Sequence, residues 1–360
     1  MGDKGRDDRM QLGLAMIRHF LQTGNILSQL SLFGGSIVMA HAPLDLTVTL
    51  AAKEAVAEGI VRFELTPAAG VELPPAEAGA HIRIRVPNGE ERQYSLCQGP
   101  DETDRYVIVV KYEAEGKGGS RSLIDDSKVG DTFAISAPVN DFPLKGNPAR
   151  YIFIAGGIGV TPLYSMIQTL MQTGGKPWKL YYLSRHAEQT AFLEEFDVPE
   201  FRGKVVVHHT NGEPDNKYDL WPVLEQPKGA YLYCCGPRAL MEEVRDMTGH
   251  WSPSSVHFED FGAADAAHRP DDEPFEVRLR GQGGVITVAA EQTLLEALEA
   301  NGVEVPYSCE SGTCGTCRCD LLAGDVDHRD LVLSEEEQGR YIIPCVSRGL
   351  GNGLVIGLPE

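Results

Sequence analysis

Cys309, Cys314 and Cys317 stand as C-x4-C-x2-C, and a fourth cysteine, Cys345, follows near the chain end. Four thiolates at this spacing can hold two irons bridged by two sulfides, so the chain must fold back and bring Cys345 onto the 309–317 loop. Gly312 and Gly315 let that loop curl tightly without a Cβ in the way, so that backbone N–H groups turn toward the sulfurs. Such hydrogen bonds spread the negative charge of thiolates and sulfides, and a cluster of this kind sits near roughly −400 mV, as an electron donor must. Zinc is the first alternative, although it more usually takes C-x2-C pairs or Cys with His. A disulfide framework is the second, and it belongs to small chains in oxidising compartments.

The chain has 360 residues, enough for two or three domains, and eight cysteines in all. Cys97, Cys234 and Cys319 lie in apolar, strand-like surroundings and read as small buried hydrophobes. Reduced thiols beside a metal cluster suit the cytoplasm. A formal net charge of −20 argues against nucleic-acid binding, which needs Lys and Arg to neutralise phosphates. It is compatible with steering a partner that carries a basic patch. No run of about 20 apolar residues is present, so a membrane span is not expected.

Residues 1–43 read as an N-terminal extension. Three acids among the first eight residues are wrong for a signal peptide, and Met39 is a candidate alternative start. A chain beginning at Met39 is expected to keep full activity. Residues 44–149 alternate apolar and polar in six segments, with a turn signal at Pro87-Asn88-Gly89 and a glycine-rich break at 116–120 opening a short helix. That pattern predicts a small antiparallel β-barrel. From 150 to 262 apolar strand runs alternate with helical stretches, which predicts a doubly wound α/β domain. Thr161 and Pro162 suit the N-cap and first position of its first helix. Residues 263–274 have the polar, acidic, Pro-bearing composition of a linker. Residues 275–360 hold a hairpin, a helix ended at Gly302 and the cysteine loop, which predicts an α+β β-grasp domain. The acidic stretch 325–337 reads as a solvated face.

Two further constellations carry chemistry. In the barrel, Arg92-Gln93-Tyr94-Ser95 is followed one strand later by Val110-Lys111 and then by Gly118-Gly119-Ser120. Arg92 offers a fixed fork for a phosphate, and Gly118, Gly119 and Ser120 present free N–H groups at a helix start. Tyr94 supplies a flat face for a ring and Ser95 a hydroxyl for a ring nitrogen. In the α/β region, Gly156-Gly157-Ile158-Gly159-Val160-Thr161-Pro162 forms a strand-to-helix turn, and Cys235-Gly236-Pro237 ends a second strand at the same edge. Ligands bind at that edge in open α/β sheets. Singly, each of these residues is more often solvated or packed in a core.

The C-terminal part resembles a plant-type ferredoxin, and the R-x-Y-S strand with its G-x-x-S turn resembles the flavin site of the ferredoxin reductase superfamily. The order flavin barrel, nucleotide domain, ferredoxin resembles the phthalate dioxygenase reductase and vanillate O-demethylase reductase family over about residues 44–358. The resemblance implies FMN, NADH and a 2Fe-2S cluster held by Cys309, Cys314, Cys317 and Cys345. It implies Ser95 and Cys235 as catalytic residues, with Cys235 beside the nicotinamide. It places Thr161 near the flavin and Phe261 over it. Arg185, after the second α/β strand, could accept a 2′-phosphate, yet NADH is the favoured donor. The implied acceptor is a Rieske-type non-haem iron oxygenase, either an aromatic ring dioxygenase or an O-demethylase. Another redox protein or a ferric chelate is the alternative.

Overall fold

The computed structural model describes residues 43–100, 102–262 and 267–359, so Met39 and almost all of the N-terminal extension lie outside the described residues. Six strands form the first sheet: β1 (Leu46–Ala57), β2 (Ile60–Pro67), β3 (His81–Arg85), β4 (Glu91–Ser95), β5 (Tyr106–Lys111) and β6 (Thr132–Ile135). Their order is β4-β3-β6-β1-β2-β5, and every pairing is antiparallel. A bridge between Leu96 and Ile108 joins the two outer edges, so the sheet closes on itself and hides its edge groups. Alternate residues point inward, and Leu50, Phe63, Leu65, Ile82 and Ile84 fill the barrel with no exposed surface. Helix α1 (Gly119–Asp125) plugs one end with Leu123.

The second sheet is wholly parallel: β7 (Arg150–Gly156), β8 (Trp178–Ser184), β9 (Val205–His209), β10 (Ala230–Cys235) and β11 (Val256–Glu259), in the order β11-β10-β7-β8-β9. Helices α2 (Val160–Gln172), α3 (Leu193–Phe196), α4 (Trp221–Leu224) and α5 (Arg238–Met247) belong to it. Central β7 is buried at six successive positions, as a strand covered on both faces requires. The chain runs outward from β7 to β9 and then returns to β10 on the other side of β7. This reversal opens a crevice at the carboxyl ends of β7 and β10.

The third sheet runs β13-β12-β16-β14-β15, from β12 (Phe275–Leu279), β13 (Ile286–Val288), β14 (Cys319–Asp327), β15 (Tyr341–Ile342) and β16 (Arg348–Gly357). Only β12 and β16 pair in parallel. Helix α6 (Leu294–Ala300) starts on a capping box in which Thr293 and Glu296 satisfy each other's backbone N–H, and it buries Leu294, Leu295 and Leu298. The multi-domain layout of barrel, parallel α/β sheet and β-grasp sheet is the one the pattern predicts. Among the described residues no helix is long and apolar enough to cross a membrane.

Two expectations change. Helix α2 begins at Val160 with Gly159 as N-cap, because a 3-10 turn over Gly157–Gly159 runs straight into it; Thr161 lies inside the first turn and donates its hydroxyl to Ile158 O at 3.0 Å. The 325–337 stretch is not simply a solvated face. Asp330 is completely buried and caps its own turn, accepting from Leu333 N at 2.7 Å and Val332 N at 3.1 Å. Arg329, also buried, pairs with Asp327 and with Asp272 from the stretch read as a linker. Helix α7 (Glu335–Gln338) follows on a second capping box.

Candidate functional site

The crevice between β7 and β10 is built from missing side chains. A Cβ on Gly159 would fall 2.2 Å from Cys235 O, and one on Gly236 would fall 2.7 Å from Gly156 Cα. The turn therefore presses directly on the Cys235-Gly236-Pro237 strand end, and Gly157, at φ +53, keeps its Cα side open. Backbone can then approach a bound diphosphate closely, which fits a dinucleotide. Cys235 itself has no exposed surface, and burial, reinforced by the nearby Glu259, pushes its thiol pKa well up. It stands at the crevice as a neutral thiol.

The flavin constellation comes together on β4, β5 and α1. Arg92 packs on the start of α1 so tightly that a Cβ on Gly119 would lie 2.5 Å from Arg92 Nε. Arg92 pairs with Glu90 and donates to Glu91 O at 2.7 Å. Gly118 supplies the left-handed N-cap of α1, with φ 89. Ser120 Oγ accepts from Glu113 N at 3.1 Å, and Lys111 reaches Glu113 at 2.6 Å, while Val110 is buried in the barrel. Two hydroxyls have no partner: Ser95 Oγ and Tyr94 OH are both sealed from solvent and make no hydrogen bond. Burial raises the Tyr94 pKa to about 12. A buried orphan hydroxyl costs about 1–3 kcal/mol, so this pair fits a ligand whose polar atoms complete it.

A cleft of about 390 Å³ connects this strand to the rest of the molecule. Its walls include Arg92, Gln93 and Ser95 from the barrel, Phe261 from beyond β11, and Cys309 and Ser311 from the cluster loop. Phe261 is 48 % exposed, free to lie against a flat ligand. His81, Asp141 and Glu259 also line it and carry no sequence motif that marks them. Asp141 accepts a 2.5 Å hydrogen bond from Ser308, one residue before the first cluster cysteine. Glu259 keeps some exposed surface, but its Oε2 is sealed and unpartnered. Burial first, and then the charges of Asp141 and Cys309, raise its pKa to about 8, so it holds its proton at neutral pH. Tyr94, Thr161, Gly156, Gly157, Gly159 and Pro237 are not among the cleft walls.

The four cysteines approach in two pairs, Cys309 with Cys314 and Cys317 with Cys345. One pair for each of two irons is the arrangement a binuclear cluster needs, whereas a single zinc draws four ligands to one point. Backbone N–H groups aim at the sulfurs: Ser311 N at Cys309 Sγ and Thr316 N at Cys314 Sγ, both at 3.5 Å. The Cys309 thiol pKa is drawn down, first by the Cys314 contact and then by the Ser311 donors, against the opposing effect of burial. Gly312, at φ +75, meets Val346 so closely that a Cβ would fall 2.6 Å from its methyl carbon. The loop thus closes onto the Cys345 segment, and the donor set fits a 2Fe-2S cluster.

Comparison with known proteins bears on the iron–sulfur and nucleotide regions. Residues 277–348 match the 2Fe-2S iron-sulfur cluster binding domain, and residues 153–246 match the oxidoreductase NAD-binding domain. The chain is 49 % identical over 308 residues to the phthalate 4,5-dioxygenase oxygenase reductase subunit of Pseudomonas putida, covering 85 % of this chain and 95 % of that one. It is 48 % identical over 314 residues to phthalate dioxygenase reductase of Burkholderia cepacia, covering 87 % and 97 %. The solved structure of a phthalate dioxygenase reductase, described as modular for electron transfer from pyridine nucleotides to [2Fe-2S], superposes with a TM-score of 0.64 at 47 % identity, over 87 % of this chain and 98 % of that one. With that identity along nearly the whole described length, the chain belongs to the phthalate dioxygenase reductase family of oxygenase reductases.

Proposed function

We propose that this protein is the reductase component of an oxygenase system, taking electrons from NADH through FMN and a 2Fe-2S cluster to a Rieske-type non-haem iron oxygenase in the cytoplasm. One observation carries this reading: a single cleft is walled by Ser95 and Arg92 of the barrel, by Phe261 beyond the nucleotide sheet and by Cys309 of the cluster loop. A bound flavin supplies the exchange between the two-electron chemistry of a nicotinamide and the one-electron chemistry of an iron pair.

The chain's own residues do the positioning. Ser95 Oγ and Tyr94 OH offer buried hydrogen bonds to the ring system, and Arg92 with the Gly118-Gly119-Ser120 turn takes the phosphate, Lys111 standing on the outer face of β5 while the Val110 side chain stays in the barrel core. Gln93 would border the ring edge and Phe261 would cover the ring from across the cleft. Gly156, Gly157, Gly159, Gly236 and Pro237 cradle the dinucleotide, Cys235 and Thr161 closing the crevice around its reactive end. Glu259, protonated at neutral pH, adds no negative charge beside the path to Cys309. Holding donor and acceptor in line is the catalysis, so no strong acid–base group is needed. We assign the barrel to residues 44–149, the nucleotide domain to 150–262 and the ferredoxin domain to 275–360, joined by 263–274.

The test is anaerobic. Purified protein should release FMN on denaturation and contain iron and sulfide in equal amounts. NADH should bleach its visible absorbance much faster than NADPH. Ser95→Ala should bind flavin yet slow that bleaching by about 10- to 100-fold, the loss of one aimed hydrogen bond in a buried site. Colourless protein, or colour that NADH leaves unchanged, defeats the reading.

A further inference from the structure

A second concave site lies at the opposite end of the parallel sheet. It occupies about 330 Å³ against the first residues of β7 and β8, beside α4. The nucleotide crevice sits at the carboxyl ends of the same strands, roughly 20 Å away along a seven-residue strand. The two sites are therefore separate.

The charge of this cleft is opposite to that of the molecule. The chain carries a net −20, yet Arg150, Lys179 and Lys228 line the cleft and no acidic side chain does. Among the described residues none of these three cations has an ion-pair partner. Arg150 Nε is sealed from solvent and makes no hydrogen bond. Arg150 as a whole is half-buried and lines the cleft, and the fork geometry of a guanidinium suits a planar carboxylate. Lys179 is held over the Tyr181 ring at 5.5 Å, on the same face of the sheet.

The rest of the lining is apolar. Ile152 and Tyr181 form a mostly buried floor, Pro222 and Val223 of α4 form the rim, and Trp178 borders the cleft at the start of β8 with its ring in the core on the other face of the sheet. A bare phosphate would waste that surface, because it needs several donors and no hydrocarbon contact. A cationic end beside an apolar wall recognises an anion with a hydrophobic body. We propose that this cleft binds a small organic carboxylate, its carboxyl on Arg150 and Lys228 and its hydrocarbon part against Ile152, Tyr181 and Pro222.

The test uses the full chain with its cofactors, in low-chloride buffer, titrated by calorimetry and followed by tryptophan fluorescence. Benzoate and cyclohexanecarboxylate should each bind one per chain with Kd values of about 1 mM or tighter, and inorganic phosphate at least about 10-fold more weakly. Arg150→Gln should weaken benzoate by about 10-fold or more, as loss of a charge-assisted pair does. Lys228→Gln, at an exposed site that leaves folding intact, should weaken it by a few-fold. Saturating NAD+ should leave the affinity unchanged. Any one of four results overturns the proposal: no saturable binding up to about 20 mM, phosphate binding as well as benzoate, displacement of benzoate by NAD+, or affinity unchanged in both variants.

Discussion

At the seam between the barrel and the parallel sheet, Ile60, Val107, Val109 and Phe142 belong to the same buried cluster as Phe153, Leu163, Met166, Ile167 and Tyr233. The two come close enough that a Cβ on Gly79 would fall 2.9 Å from the terminal methyl of Met166 on α2, and Gly79 N donates to Ser165 on the same helix at 3.1 Å. The attachment of the iron–sulfur domain is made differently. That domain keeps its own apolar cluster, all of it between residues 267 and 358. Outside that cluster, among the described residues, Leu331 alone is shared with the nucleotide domain's outer core. Arg238 donates to Arg329 O, Arg245 to Asp330 O at 2.8 Å, and Ser308 to Asp141. A continuous apolar seam makes two domains one folding unit. Polar bonds around a single leucine make a contact that water can replace, and so one that can open.

The largest expected effect breaks the seam. Leu163→Ala should cost about 2–5 kcal/mol, and the barrel and nucleotide domain should lose structure together. Flavin release and loss of near-UV circular dichroism should coincide, with cluster absorbance following a separate transition. Flavin release well ahead of the circular dichroism change would show that the seam does not unite the two.

Next comes acid acting on the seam. His257 lies with its ring 4.6 Å from that of Tyr233, whose hydroxyl accepts from Lys145 N at 2.6 Å. Burial, and then the Lys145 charge, lowers its pKa to about 4. The unfolded chain therefore binds the extra proton first. The stability of a neutral His257 is complete above about pH 6.5 and lost as pH falls toward 4, up to about 3 kcal/mol. His257→Phe should flatten that slope in urea titrations, and an unchanged slope would remove His257 from the account.

The attachment should respond more locally. Leu331→Ala should cost about 2–3 kcal/mol and Arg245→Ala about 1.5 kcal/mol, both confined to opening of the iron–sulfur domain. Amide exchange at 329–333 should accelerate while exchange in β7 and α2 stays as it was. Equal acceleration everywhere would erase the contrast between the two junctions.

The smallest effect falls inside the iron–sulfur domain. Hydrogen bonding from Arg329 holds the Asp272 pKa near about 2. That pair is present above about pH 4 and lost toward pH 2, worth about 1 kcal/mol once solvent screening is allowed for. Asp272→Asn should remove this dependence without touching the His257 window.

Much of this was legible because it is local. The cysteine spacing, the R-x-Y-S strand and the glycine turn each sit within a few residues and announce their chemistry. The cleft walls His81, Asp141 and Glu259 were not legible, since three chain segments far apart in sequence meet there and no period marks the meeting. Arg329 and Asp330 were misread for a related reason. Average charge along 325–337 is that of a wet surface, whereas one Asx turn and one guanidinium clamp fold two of its charges inward. Helix α2 started early because the glycine turn is itself helical.

The pressed contact between Gly159 and the Cys235 carbonyl has a bearing on how this protein tolerates change. Serine, threonine or arginine side chains around a ligand can be exchanged for others that reach the same atom. A contact between bare backbones has no substitute, because every other amino acid adds matter where none fits. Saturation mutagenesis scored by cofactor reduction should therefore find its hardest limits at Gly159 and Gly236, ahead of any polar residue that touches the ligand.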